Sequence, residues 1–129
     1  MASRIIPTLK YEDARGAIEF LKRAFGFEEH AVYEEDGRVS HAELRLGDDF
    51  VMLGDHRPDD GERPYVYGAT TIYVVVDDPD ALHARAVEAG AEIVRDLVET
   101  DYGSRDFAAK DPGGNVWAFG TYGPSRDGS

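Results

Sequence analysis

The sequence contains an internal repeat, and this repeat constrains the fold more than any other feature. At an offset of 64 residues, the second half reproduces the residues that begin, line and end a helix in the first half. Because these residues have different physical roles, their agreement indicates two copies of one module. They are a cap (Asp13 and Asp77), an apolar stripe (Ala17 and Ala81, Ile18 and Leu82), a terminating glycine (Gly26 and Gly90) and a strand start (Glu28 and Glu92).

Each copy is predicted to form a strand, a helix and three further strands. Between Asp13 and Gly26, apolar residues recur at helical spacing, and the flanking segments alternate or carry β-branched residues. Turn dipeptides such as Asp36-Gly37 separate the strands. The predicted fold class is α+β: two βαβββ modules form cupped, antiparallel-rich sheets with helices on the outside.

The expected organisation is a single domain over residues 1–129. The first module covers about 4–55, and the second covers about 69–122. The intervening linker, 56–68, is rich in proline, glycine and acidic residues. A short polar tail follows at 123–129.

The charge balance excludes several classes of partner. The chain has 26 acidic and 14 basic residues and a net charge of −12. Nucleic acid binding requires clustered Lys and Arg, so neither nucleic acid nor an anionic membrane is an expected partner. The sequence lacks cysteine, and we see neither a signal peptide nor an apolar run that could span a membrane. A cytoplasmic location is expected.

Three segments resemble the vicinal oxygen chelate superfamily, the glyoxalase / bleomycin resistance / extradiol dioxygenase group. They are the helix and its Phe-Gly stop at 11–27, the Val-Val-Asp-Asp-Pro segment at 75–79, and the Asp-Pro-Gly-Gly-Asn turn with its strand at 111–117. The resemblance covers residues 4–122. It implies the paired βαβββ fold and a homodimer.

The resemblance also implies where a divalent metal would lie in the family's metalloenzymes. The corresponding positions here are Ile6, Met52, Thr71 and Ala118, and shifting each by one residue introduces no carboxylate or imidazole. The chain therefore looks like the superfamily's metal-free branch, whose binding proteins sequester antibiotics in a dimeric pocket. We expect neither a metal nor a cofactor.

Strand alternation then predicts which side chains line the pocket. If Ile6, Met52, Thr71 and Ala118 face it, so do their same-face neighbours, which lie two or four positions away along each strand. These neighbours are Thr8, Phe50, Tyr73, Val75 and Val116. The resulting apolar, partly aromatic wall suits a flat ligand. The alternative is that these residues fill a core.

Three polar residues are further candidates. His41 and Glu43 share one strand face and are candidate catalytic residues, as a base with its orienting partner, or ligands of a relocated metal. The alternative, which a strand with several charged residues favours, is that they form cross-strand ion pairs on a solvated outer strand. Arg105 lies 64 residues after His41, so we expect it to point the same way and either bind an anionic ligand group or pair with Glu43.

These features favour a protein that binds a small, planar or aromatic molecule without a metal. The alternative is a lyase, isomerase or dioxygenase-type enzyme that uses His41 and Glu43 or a relocated divalent metal. A third possibility is an interaction domain with a vestigial pocket.

Overall fold

The computed structural model describes residues 4–56 and 69–123. The first module forms a four-stranded sheet in the order β1-β4-β3-β2, in which β1 and β4 are parallel and the other pairs are antiparallel. Its elements are β1 (Thr8–Tyr11), α1 (Ala14–Phe25), β2 (Glu28–Glu35), β3 (Arg38–Leu46) and β4 (Asp49–Asp55).

The second module repeats this arrangement. Its sheet has the order β5-β8-β7-β6, again with a parallel first pair. Its elements are β5 (Thr71–Val75), α2 (Pro79–Glu88), β6 (Glu92–Glu99), β7 (Arg105–Lys110) and β8 (Val116–Gly120). The predicted α+β class and the two βαβββ modules are therefore confirmed. The linker predicted at 56–68 and the tail from 123 lie almost entirely outside the described residues.

The offset between the modules is not constant. The two helix caps are Asp13 and Asp78, 65 residues apart, and each side chain accepts a hydrogen bond from the backbone three residues later. The terminating glycines, Gly26 and Gly90, and the starts of the next strands, Glu28 and Glu92, keep the offset of 64, and both glycines have positive φ. The helix α2 is thus one residue shorter than α1 between its cap and its terminating glycine. Ala81, which the repeat placed in the buried stripe of this helix, is exposed.

Both helices pack into one core that the modules share. The amphipathic α1 buries seven side chains, and neither α1 nor α2, the helices of the described part, is long and apolar enough to cross a membrane. The Phe25 ring lies 4.8 Å from Phe119 and 5.8 Å from Trp117, which belong to the second sheet. Across α1 and α2, the Arg85 guanidinium donates to the carbonyls of Lys22 and Arg23.

Each sheet therefore has one face in this common core and one face turned away from it. On the core side lie Leu9, Val51, Leu53, Trp117 and Phe119, all buried. The residues between them in sequence point outward, as the period of two along a strand requires. We call the outward surfaces the first open face (of β1–β4) and the second open face (of β5–β8).

Candidate ligand-binding faces

The strand register places the predicted wall residues on the open faces. On the first, Thr8 pairs with Met52, and Met52 pairs with Glu43. On the second, Thr71 pairs with Val116, and Tyr73 pairs with Ala118. The structure thus divides the predicted wall between two sheets. Thr8, Phe50 and Met52 are on the first open face, and Thr71, Tyr73, Val75, Val116 and Ala118 are on the second.

Phe50 and Tyr73 nevertheless approach a common groove where the modules meet. This groove has a volume of about 330 Å³ and is lined by side chains from both sheets. Its lining includes Phe50, Val51, Tyr73, Val75, Phe27 and Trp117. The Tyr73 and Val75 side chains do not fill the core of the chain, because they are 42% and 55% exposed.

His41 and Glu43 lie on the first open face and contact each other. The His41 Nε2 atom is 3.0 Å from Glu43 Oε2, and Tyr33 stacks on the imidazole with ring centroids 6.1 Å apart. A carboxylate at this distance can fix the tautomer and orientation of an imidazole. The pair can therefore accept a proton from a ligand on this face or donate one to it.

His30 joins this pair, although its sequence position gave no sign of it. A bulge in β2 places Glu29 opposite Leu44 and Ala31 opposite Glu43, so His30 is an extra residue between them. Its Nε2 atom lies 3.9 Å from Glu43 Oε1, and its ring contacts Phe50 edge to face at 5.0 Å. A bulge is not visible in an alternating pattern, which is why sequence reasoning missed this residue.

The orientation expected for Arg105 is wrong. Ala108 pairs with Ala118 in the second sheet as Glu43 pairs with Met52 in the first. Two residues earlier on each strand, Asp106 is therefore the structural counterpart of His41. A slip of one residue reverses the face, and Arg105 therefore points to the helix side. Its guanidinium binds Asp80 at 2.5 and 3.1 Å and Glu99 at 3.5 Å, and it makes no pair with Glu43. These carboxylates raise the pKa of Arg105, and Arg105 lowers the pKa of Asp80.

Asp106 lies on the second open face and is a residue that sequence reasoning missed. It is 7% exposed, and it accepts hydrogen bonds from the Ser104 hydroxyl and, at 3.4 Å, from the Tyr102 hydroxyl. Gly120 pairs with it across the sheet, and a β-carbon there would collide with the Asp106 carboxylate and the Tyr73 hydroxyl. The available signal was an aspartate directly before the apolar run 107–109 of this strand.

The residues at the family's metal positions do not fit a divalent ion. Ile6 and Ala118 have no donor atom, and Met52 and Thr71 offer only a thioether and a neutral hydroxyl. Among residues 4–56 and 69–123, no group of three or more His, Asp or Glu side chains is arranged to hold a metal. No chemical step is therefore assigned to a metal at these positions.

The family comparison matches nearly the whole chain. The model of the Glyoxalase/Bleomycin resistance protein/Dioxygenase superfamily matches residues 7–119. An uncharacterized protein of Mycobacterium bovis is 37% identical over 121 residues, covering 88% of this chain and 80% of its own length. An uncharacterized Mycobacterium tuberculosis protein has the same identity and covers 71% of its own length.

Solved structures show the same fold. TioX from Micromonospora sp. ML1 superposes with a TM-score of 0.81 at 29% identity, covering 92% of this chain and 98% of TioX. A glyoxalase-related enzyme from Fulvimarina pelagi gives a TM-score of 0.73 at 16% identity, covering 100% and 96% of the two chains. The second likeness is one of fold alone.

Proposed function

The chain belongs to the glyoxalase/bleomycin resistance protein/dioxygenase superfamily, and on that premise we propose that it binds a small, flat, partly aromatic molecule in a pocket without a metal. The superfamily resembled by this sequence includes both metalloenzymes and metal-free binding proteins. The side chains at Ile6, Met52, Thr71 and Ala118 favour binding, because none is a usual ligand of a divalent ion.

The observation that carries the proposal is the exposed ring of Tyr73. Its hydroxyl donates to the Tyr122 carbonyl at 2.7 Å, so the edge of the ring is held while much of its surface stays open. Val75, Val116 and Ala118 extend this surface on the same face. A flat ligand stacked there gains aromatic and aliphatic contact area at low conformational cost.

The proposed pocket forms between two copies of the chain. Since the open faces point away from the shared core, one chain does not close them on each other. In a symmetric homodimer the first open face of one copy can cover the second open face of its partner. Thr8, Phe50 and Met52 would then complete the wall begun by Tyr73. We further propose that the protein acts in the cytoplasm and binds no nucleic acid.

The first prediction concerns Tyr73→Ala. This variant is expected to lose most of the thermal shift that a planar aromatic ligand produces in the wild type, because aromatic contacts contribute about 0.5–1.5 kcal/mol beyond their area. Its own melting temperature should change little, since the ring lies outside the core. The measurement is a thermal-shift screen of a planar aromatic library on both proteins.

Val87→Ala is the matched control, because Val87 is an exposed apolar residue of α2, which packs on the opposite side of its sheet. It should keep the full ligand shift. If Tyr73→Ala instead unfolds near room temperature, or if no library member shifts the wild type, the proposed binding face is wrong.

A second candidate function is an enzyme that uses His41 and Glu43. The observation that favours it is the 3.0 Å contact between the imidazole and the carboxylate, with His30 on the other carboxylate oxygen. Such a group could act as a general base, or it could supply ligands to a relocated metal.

Elemental analysis of the gently purified protein distinguishes a metal-free binding protein from an enzyme with a relocated metal. Our proposal predicts less than one equivalent of zinc, nickel, iron or manganese per chain. One equivalent that disappears in both His41→Ala and Glu43→Ala would contradict it and support the enzyme. Lys22→Ala is a suitable control, because its ion pairs with Glu19 and Glu29 lie on the outer surface of α1 and β2.

A further inference from the structure

Three tyrosines on the second open face are connected to the buried carboxylate of Asp106, either directly or through Ser104. Tyr102 donates to the carboxylate at 3.4 Å, and its ring meets that of Tyr122 edge to face with centroids 5.8 Å apart. The Tyr122 amide donates to the Ser104 hydroxyl, and the Tyr122 carbonyl accepts from Tyr73. One hydrogen-bonded unit thus holds the three rings and the carboxylate together.

Asp106 has no cationic partner within the described part of the chain. Its carboxylate accepts hydrogen bonds from the hydroxyls of Ser104 and Tyr102, whereas the neighbouring Arg105 is turned to the helix side and bound by Asp80. The basic residues on the same face are further along the sheet. Arg95 pairs with Ala108, and Lys110, four residues from Asp106, lies roughly 13 Å away along the strand. Because desolvation of a carboxylate is costly, a buried one normally has a cation or several hydrogen-bond donors beside it, as Asp111 has, whereas Asp106 has two hydroxyl donors.

The rings themselves remain accessible. Tyr73, Tyr102 and Tyr122 are each between 42% and 63% exposed, although the carboxylate beneath them is almost buried. Aromatic faces attract cations through their quadrupole, and the attraction strengthens where water is excluded. Aromatic rings around a buried anion form a recognition geometry for an organic cation.

We propose that Asp106 with Tyr73, Tyr102 and Tyr122 forms a binding site for an organic ammonium group. The proposal deepens the proposed function and rests on it, since Tyr73 also belongs to the flat-ligand surface. It specifies the ligand as a molecule whose flat part stacks on Tyr73 and whose positively charged nitrogen lies over the tyrosines. The net charge of −12 adds a long-range attraction for such ligands.

The test compares probes that differ in one chemical feature. Calorimetric titrations use benzyltrimethylammonium, the neutral aromatic benzyl alcohol, choline, and the neutral choline isostere 3,3-dimethylbutan-1-ol. The proposal predicts that each cation binds about tenfold or more tightly than its neutral counterpart, as a carboxylate and several ring faces together require. Equal binding of each cation and its counterpart would overturn the ammonium site.

Substitutions then test which carboxylate and which aromatic ring the cation requires. Asp106→Asn keeps an acceptor for Ser104 but should remove the preference for the cation, while Asp101→Asn, an equal charge change in the adjacent turn, should retain it. Tyr102→Phe should keep binding, and Tyr102→Leu should weaken it. An equal loss in Asp101→Asn and Asp106→Asn would show a general charge effect and overturn the site.

The two proposals can fail separately. Binding of planar neutral aromatics that depends on Tyr73 and is indifferent to Asp106 would support the flat-ligand function alone. Cation binding that depends on Asp106 and persists in Tyr73→Ala would contradict the shared site. If Asp106→Asn lowers the melting temperature strongly, the Tyr102→Leu and Tyr102→Phe pair still decides the result, since Tyr102 is exposed.

Discussion

A buried hydrogen bond between Tyr11 and Asp111 connects the two modules. Their side chains are 100 positions apart, and the Tyr11 hydroxyl donates to Asp111 Oδ2 at 2.6 Å. The same carboxylate accepts from Trp117 Nε1 at 2.9 Å and from the amides of Gly113 and Asn115. Gly113 lies so close that a β-carbon there would be 2.6 Å from the Tyr11 ring.

Removal of this hydroxyl gives a prediction about stability. Tyr11→Phe is expected to lower the free energy of unfolding by about 1.5–3 kcal/mol, the range for a hydrogen bond to a charged group. Urea denaturation at pH 7 measures the change. Tyr33→Phe is the control, because Tyr33 is exposed and its ring contact with His41 does not need the hydroxyl. A loss as large in the control would contradict the role of Tyr11.

The same contact sets the expected response to high pH. Burial, and secondarily the Asp111 charge, raises the pKa of Tyr11 well above 10. A group whose pKa is raised on folding contributes stability that is complete below its unfolded pKa and is lost as the pH rises. Wild-type stability should therefore fall above about pH 10, and Tyr11→Phe should show a shallower decline.

At the level of elements, the helices were more predictable than the strand ends. Caps, apolar spacing and stop glycines are local signals, and they located α1 well. In contrast, β4 continues through Gly54 and Asp55, which read as turn residues in sequence. Asp55 is retained there by tertiary contacts, since it accepts from the amides of Ala14 and Val39.

The candidate site was less predictable because it depends on register. Alternation predicted that Tyr73 and Val116 share one strand face, and the register places both on the second open face and Met52 on the first. The constant offset of 64 failed for Arg105 because α2 and the strands after it do not keep one spacing to the first module. Because the register differs by one residue, Asp106 and not Arg105 lies on the second open face. The bulge in β2 brings His30 to Glu43, and the sequence pattern does not show this bulge.

At the level of the whole molecule, the shared core determines how the chain can assemble. Because the core buries one face of each sheet, the two open faces stay uncovered. Tyr73, Val75 and Tyr33 are exposed on them. Apolar side chains gathered on such a surface favour association with another copy. Sequence patterns alone gave the two modules but not the direction in which their open faces point.

The corresponding prediction is a homodimer. Sedimentation velocity at micromolar concentration should give twice the chain mass of 14.2 kDa. Val75→Asp, which places a charge on the second open face, should shift the mass towards the monomer, whereas Val87→Asp on α2 should not. A wild type that sediments as a monomer would contradict the shared pocket.

The opposed orientation of the open faces has a genetic consequence. If each pocket combines the first face of one copy with the second face of the other, a defect in either face inactivates both pockets of a homodimer. A chain defective only in the first face and a chain defective only in the second can still form a mixed dimer. That dimer has one pocket with both defects and one with neither, so two inactive alleles expressed together can complement each other within the same gene.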